Sequence, residues 1–164
     1  MSIQEKGIKI LNEYVDISKR HGAISIHAVA TEVFRKCGNG HAYLERVRQL
    51  GIQVQLVTQE LEAELGFRSV ISTYGCSESD AVVWDSGGAS FQITSKSKES
   101  NNLNIYKGPL GTSIALSTLI EEVRGLTMSR DLSGINPVSI IESNKLTEKL
   151  SNKLETVPGW LVNR

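Results

Sequence analysis

Two short segments in which apolar and polar residues alternate constrain the fold more than anything else in the chain. In Ile24–Ala30, Ile24, Ile26, Ala28 and Ala30 share one face, and Ser25, His27 and Val29 the other. In Ile52–Leu56, Ile52, Val54 and Leu56 are separated by glutamines. A period of two predicts half-buried strands. Between them come Gly38-Asn39-Gly40, expected to be a loop, and then Leu44, Val47 and Leu50 at helical spacing, closed by Gly51. Strands joined through a helix cannot form a hairpin, so the pair is expected to be parallel. Ile8, Leu11 and Val15 predict an amphipathic helix over about residues 3–19 before the first strand, ended by His21-Gly22. Thr58 is placed to cap a further helix, with Leu61 and Leu65 expected on its buried side.

The pattern changes after about residue 76. Ala81–Asp85, Ser90–Thr94 and Leu103–Tyr106 predict three short strands in an antiparallel meander, with the polar turn Ser95–Asn102 between the last two. Trp84 is expected in the core. Leu116, Leu119, Ile120 and Val123 predict a helix, and a last helix is expected from Val138 to Leu154, with Pro158 after it and Trp160 covering its end. The turn-rich segment Ser72–Asp80 divides an αβαβα half from a βββαα half, giving two domains, 1–76 and 77–164.

Lys+Arg and Asp+Glu both number 18, so there is no basic surplus for general nucleic-acid binding. No apolar run approaches a membrane span, and the first residues do not resemble a secretory leader. Cys37 and Cys76 are far apart and form no C-x-x-C, which fits reduced thiols and a cytoplasmic protein. His21, His27 and His41 show no metal-ligand spacing and are expected on the surface or in loops.

The stretch VVWDSGGASF, Val82–Phe91, holds the strongest chemical signal. Glycine amides can approach an anion closely, and an acid at a strand end can hold Mg²⁺ through water. Taken alone, the residues read more readily as a plain hairpin turn. The order of four blocks adds to this: Ala30-Thr31 to Arg35 and Asn39, Gly51 to Glu62-Ala63, Asp85 to Ser90, and Leu110-Gly111-Thr112. In order and spacing they resemble the Ppx/GppA family of exopolyphosphatases and guanosine-pentaphosphate phosphatases. Its corresponding blocks are A-T-S-A-x-R-x-x-x-N, a G-I segment ending in S-G-x-E-E-A, D-I-G-G-G-S, and L-G-S/T opening a helix.

The resemblance implies an α/β chain that is part of an actin-like (ribonuclease H-like) two-domain fold. Residues 1–76 would be the later part of domain I, and 77–164 the first part of domain II. Relative to the family, the first strands of domain I and the end of domain II would be lacking, so that the chain by itself is expected to be a poor catalyst. The implied activity is bacterial Mg²⁺-dependent removal of terminal phosphate from inorganic polyphosphate or guanosine pentaphosphate. Glu62 would position or deprotonate the attacking water, Asp85 would hold the metal, and Gly87, Gly88, Ser90 and Arg35 would bind phosphate. Thr112 would cap the helix after Gly111.

Several positions depart from the pattern. Ala89 stands for the third motif glycine, Ser86 for an apolar residue, Leu61 for the first glutamate, and Glu32-Val33 for a Ser-Ala pair. A Cβ at position 89 would be strained if that site needs positive φ. Two alternatives therefore stay open beside the enzyme: a relative that binds polyphosphate or a guanosine nucleotide without hydrolysis, and a structural piece that associates with itself, for example as a homodimer.

Overall fold

The structure is a computed structural model, and it describes residues 1–129 and 131–162. The chain separates into two compact units, Met1–Glu62 and Ala63–Arg164.

The first unit is built on the predicted parallel pair. Strand β1 (Ile26–Ala30) runs beside β2 (Ile52–Leu56), with Ile26 opposite Ile52 and Ala30 opposite Leu56. Helix α1 (Ile3–Arg20) opens with a capping box in which the Ser2 hydroxyl accepts the Glu5 amide and the Glu5 carboxylate accepts that of Ser2. Helix α3 (Gly40–Gln49) is the crossover between the strands. One core joins these elements: Val15 of α1, Leu44 and Val47 of α3, and Ala30, Ile52 and Val54 of the strands are buried, with Ile8 and Leu11 packed against them. The segment before Gly38 is a five-residue helix, α2 (Glu32–Lys36), which was not anticipated. It is too short for an apolar period to register.

Helix α4 (Gln59–Tyr74) starts where Thr58 was expected to cap it, and the Thr58 hydroxyl accepts the Leu61 amide at 3.2 Å. Its buried face differs from the expected one. Ala63 and Phe67 are buried, and Leu65 is exposed. Both pairs, 61/65 and 63/67, have the i, i+4 spacing of a helical face, so side-chain size alone pointed to the wrong one.

In the second unit β3 (Val82–Ser86), β4 (Phe91–Lys96) and β5 (Leu103–Gly108) form the expected antiparallel meander, in the order β3-β4-β5. Trp84 is 72% exposed rather than in the core. It lies on an edge strand and lines an open depression of about 380 Å³ with Phe91, Ile93, Tyr106, Leu150 and Leu154. Helix α5 (Thr112–Ser117) continues into a wider π-helical stretch, Thr118–Val123, whose Leu119 and Ile120 are buried. The last long helix, α6 (Ile140–Ser151), is shorter than expected, and Trp160 sits half-buried in a further short helix, α7 (Gly159–Val162).

Ion pairs fasten α6 and the residues just after it to the π-helical stretch and its C-cap Arg124. Glu122 accepts Lys153 at 2.7 Å, and Arg124 donates from Nε to Glu142 at 2.7 Å. Glu142 also accepts the amide and hydroxyl of Ser139, the helix cap. The Arg124 hydrogen bond, reinforced by those from Ser139, holds its carboxyl at about 2. A depressed carboxylate stabilises the fold above its unfolded pKa, and that contribution is lost as pH falls through the folded value. Protection of the α6 amides against hydrogen exchange should therefore decline between about pH 4.5 and about pH 2. Glu142→Gln should lower it already at neutral pH and flatten the decline, and an unchanged acid response would show that this clasp does not hold α6.

Candidate active site

The turn between β3 and β4 is built from Gly87, Gly88, Ala89 and Ser90. The Gly87 amide donates to the Ser90 carbonyl at 3.0 Å, which closes the turn, and Ser90 is buried. The carbonyls of Gly87 and Gly88 face α5. Gly87 accepts the Thr112 amide at 3.0 Å, and Gly88 accepts that of Ser113 at 2.8 Å. The first amides of a helix have no partner within it, so here the turn supplies the partners that a capping side chain supplies elsewhere. The cap residue is Gly111, with no side-chain cap bond, and Thr112 is the first helical residue rather than the expected cap.

A trans peptide points its C=O and N–H in opposite directions. The Gly87 carbonyl shares a peptide unit with the Gly88 amide, and the Gly88 carbonyl with the Ala89 amide. Fixing both carbonyls on α5 therefore aims both amides away from it. Among the described residues these two amides have no hydrogen-bond acceptor. An anion lying against the turn would find two preset donors there. They are Gly88 and Ala89 rather than Gly87 and Gly88, because the Gly87 amide is already used.

None of Gly87, Gly88 and Gly111 has positive φ, and close approach of backbone to backbone demands a glycine only at Gly111. A Cβ on Gly111 would lie 2.5 Å from both the Ala89 nitrogen and the Gly87 oxygen. A Cβ on Gly88 would meet only the Ser113 hydroxyl, at 3.2 Å. Ala89 has no positive φ either, so its Cβ brings no backbone strain.

Asp85 stands at the foot of the turn, exposed, with α4 alongside: its Oδ2 is 3.5 Å from where a side chain on Gly66 would begin. Across the sheet Asp85 lies opposite Gln92, which lies opposite Lys107. Cross-strand partners share a face. Gln92 is 1% exposed, and its Nε2 has no partner among the described residues. An orphaned buried amide beside the site acid was missed in the sequence. The available signal was a glutamine alternating with Phe91 and Ile93 in a strand that is otherwise well buried.

In the first unit a second group forms around Arg35. Its Nη1 donates to Glu62 Oε2 at 2.8 Å and to the Val57 carbonyl at 2.9 Å. Its Nε and Nη2 donate to Glu32 Oε2 at 3.0 and 2.8 Å. Burial works against the charge on Arg35, but the hydrogen bonds to Glu32 and Glu62 outweigh it and hold the guanidinium above its ordinary value. Burial likewise opposes ionisation of Glu32, and the bonds from Lys36 and Arg35 prevail, leaving its carboxyl below the usual range. The six expected residues thus fall into two groups: Arg35 with Glu62, and Asp85 with Gly87, Gly88 and Ser90.

Among the described residues no group of three or more His, Cys, Asp or Glu side chains comes together. That excludes an all-protein cage among them. An exposed Asp85 carboxylate, with no ion-pair partner among the described residues, fits a hard cation such as Mg²⁺, which takes few carboxylates and keeps its waters.

Comparison with known proteins identifies the class. Residues 2–125 match the model of the Ppx/GppA phosphatase family, and the chain belongs to that family. Exopolyphosphatase 1 of Mycobacterium tuberculosis is 32% identical over 92 residues, 56% of this chain and 27% of that protein. Its Mycobacterium leprae counterpart is 29% identical over 91 residues. The chain thus spans about a quarter of the length of these relatives. A Ppx/GppA enzyme of Aquifex aeolicus superposes with a TM-score of 0.61 at 24% identity, covering 92% of this chain and 46% of that one. An exopolyphosphatase from Cytophaga hutchinsonii gives 0.69 at 16% identity, covering 92% and 44%. The fold is accordingly the actin-like α/β fold of these proteins. No helix among the described residues is long and apolar enough to cross a membrane.

Gly111→Ala should detach α5 from the turn, at a cost on the order of 1–3 kcal/mol as for other overpacked sites. Gly88→Ala should cost less, because only a serine side chain must turn aside. Urea unfolding curves will compare them; equal midpoints for Gly111→Ala and the unsubstituted chain would show that the contact does not hold the turn.

Proposed function

We propose that this chain carries part of the catalytic machinery of a phosphatase that releases terminal phosphate from inorganic polyphosphate or guanosine pentaphosphate. Residues 1–76 and 77–164 would be parts of actin-like domains I and II. The observation that carries the reading is the state of Glu62. Its Oε2 is held by Arg35, while its Oε1 has no partner among the described residues. A carboxylate fixed through one oxygen and open at the other can accept a proton from water without reorienting.

In this reading Glu62 takes a proton from water as the water oxygen bonds to the terminal phosphorus. The bond from that phosphorus to the bridging oxygen breaks, and orthophosphate leaves. The transition state spreads charge over the phosphoryl oxygens, so most of the catalytic effect must come from positioning and electrostatics. The amides of Gly88 and Ala89 would meet those oxygens. Gly87 and Ser90 would act by closing the turn that aims these amides. Asp85 would hold Mg²⁺, which supplies positive charge against the phosphate oxygens. Arg35 has one N–H of Nη2 left for an anion once its four bonds are counted.

The test measures orthophosphate release from each substrate, with Mg²⁺ and after its removal by a chelator. From this chain, which carries only part of the machinery, weak Mg²⁺-dependent release is expected, and Glu62→Gln should reduce it by about 100-fold or more, the usual share of a general base. Release that ignores both the chelator and the substitution would overturn the assignment. Mg²⁺-dependent binding of either substrate without any release would identify a binding protein instead.

A further inference from the structure

Glu32 is the only charged residue among the described residues that is buried, at 8% exposure. Burying a carboxylate is costly unless every lone pair it presents is matched. Here both oxygens are used. Oε1 accepts Lys36 Nζ at 2.7 Å, and Oε2 accepts Nε and Nη2 of Arg35. A single helical turn makes this arrangement: α2 brings Glu32, Arg35 and Lys36 to one side at i, i+3 and i+4 spacing. The opposite edge of the guanidinium then reaches two groups beyond the helix, the Val57 carbonyl just past β2 and Glu62 on α4. The strand ends are themselves joined there, since the Val57 amide donates to the Ala30 carbonyl at 3.0 Å.

We propose that Glu32 is a positioning residue of the candidate site: it fixes one edge of Arg35 so that the other edge clamps Glu62 by a single oxygen. Arg35 is then chiefly a holder of Glu62 and only secondarily a donor to an anion. The glutamate takes a position where the pattern that the chain resembles carries a small serine. A serine could not make the paired contact, because it offers one oxygen on a side chain two carbons shorter. The proposal deepens the reading of Glu62 given above and rests on it for its functional meaning, while the clamp itself can be measured without turnover.

The experiment follows the Arg35 Nε–H signal in nitrogen-15 spectra of the 164-residue chain, assigned by its disappearance in Arg35→Lys. Glu32→Gln should speed solvent exchange of this hydrogen about tenfold, as loss of a charge-assisted bond allows. Glu62→Gln should change it by less than about twofold, because that bond is made by Nη1. Glu32→Asp should fall between, and it decides the matter if Glu32→Gln fails to fold. An Nε–H signal indifferent to Glu32, or equally sensitive to Glu62, would overturn the proposal. Where phosphate release is measurable, Glu32→Gln should lower kcat about tenfold with KM within about twofold. A fall in KM at constant kcat would show instead that Glu32 masks Arg35 as an anion ligand. Absence of release from the unsubstituted chain would count against the phosphatase reading alone, since the Nε–H measurement judges the clamp independently.

Discussion

The second unit depends on a reciprocal arrangement of backbone groups. A helix start needs acceptors for its first amides, and a tight turn between strands leaves carbonyls that need donors. The turn at Gly87-Gly88 and the start of α5 satisfy each other, at 2.8 and 3.0 Å. The arrangement requires backbone against backbone, which is why Gly111 can have no side chain. Its chemical result follows from peptide planarity: two amides are turned outward by the same bonds that fasten the turn inward. Such donors need no reorganisation when charge arrives, which is the condition for electrostatic stabilisation of a transition state.

In the first unit the organising element is a closed set of four charges. Glu32 and Glu62 face Arg35 and Lys36, so the group is neutral as a whole while each member is locally polarised. It gathers residues from α2 and α4 at the ends of two parallel strands, the place where open α/β sheets present their functional side chains. Because the guanidinium is planar and forked, it can bind on both edges at once; a lysine at position 35 could not. The contacts of Glu32 with Arg35 and Lys36 would loosen only as pH falls below the ordinary range of carboxylates, given the direction in which Glu32 is displaced.

Much of the fold was legible in the sequence because it was carried by local pattern. The alternation in Ile24–Ala30 and Ile52–Leu56 specified strands, although Ile24 lies before β1 and, like Ala28, is exposed; the intervening helix specified parallel pairing, and Thr58 specified where α4 begins. What escaped was decided by tertiary partners. Thr112 looked like a cap until the turn carbonyls took its place. Leu65 and Trp84 looked like core because they are large, but one faces out from its helix and the other lies on an edge strand. Glu32 registered only as a departure from a motif. Its partners lie three, four and, through Arg35, thirty positions away, and no local rule links the last of them. Gln92 is similar: its significance arises from facing Asp85 across a strand pair.

The position of Asp85 has a consequence apart from phosphate chemistry. Strand β3 is an edge of its sheet, and its sequence VVWDS begins with three residues of high β-propensity, two of them exposed. An edge of that kind can be a template for pairing with strands of other molecules. The charge at position 85 interrupts the sticky run at its end, as gatekeeper residues do beside unavoidable hydrophobic strands. Neutralising this acid would therefore act on colloidal behaviour. A loss of soluble protein on such a change would reflect the exposed edge, whatever becomes of the chemistry.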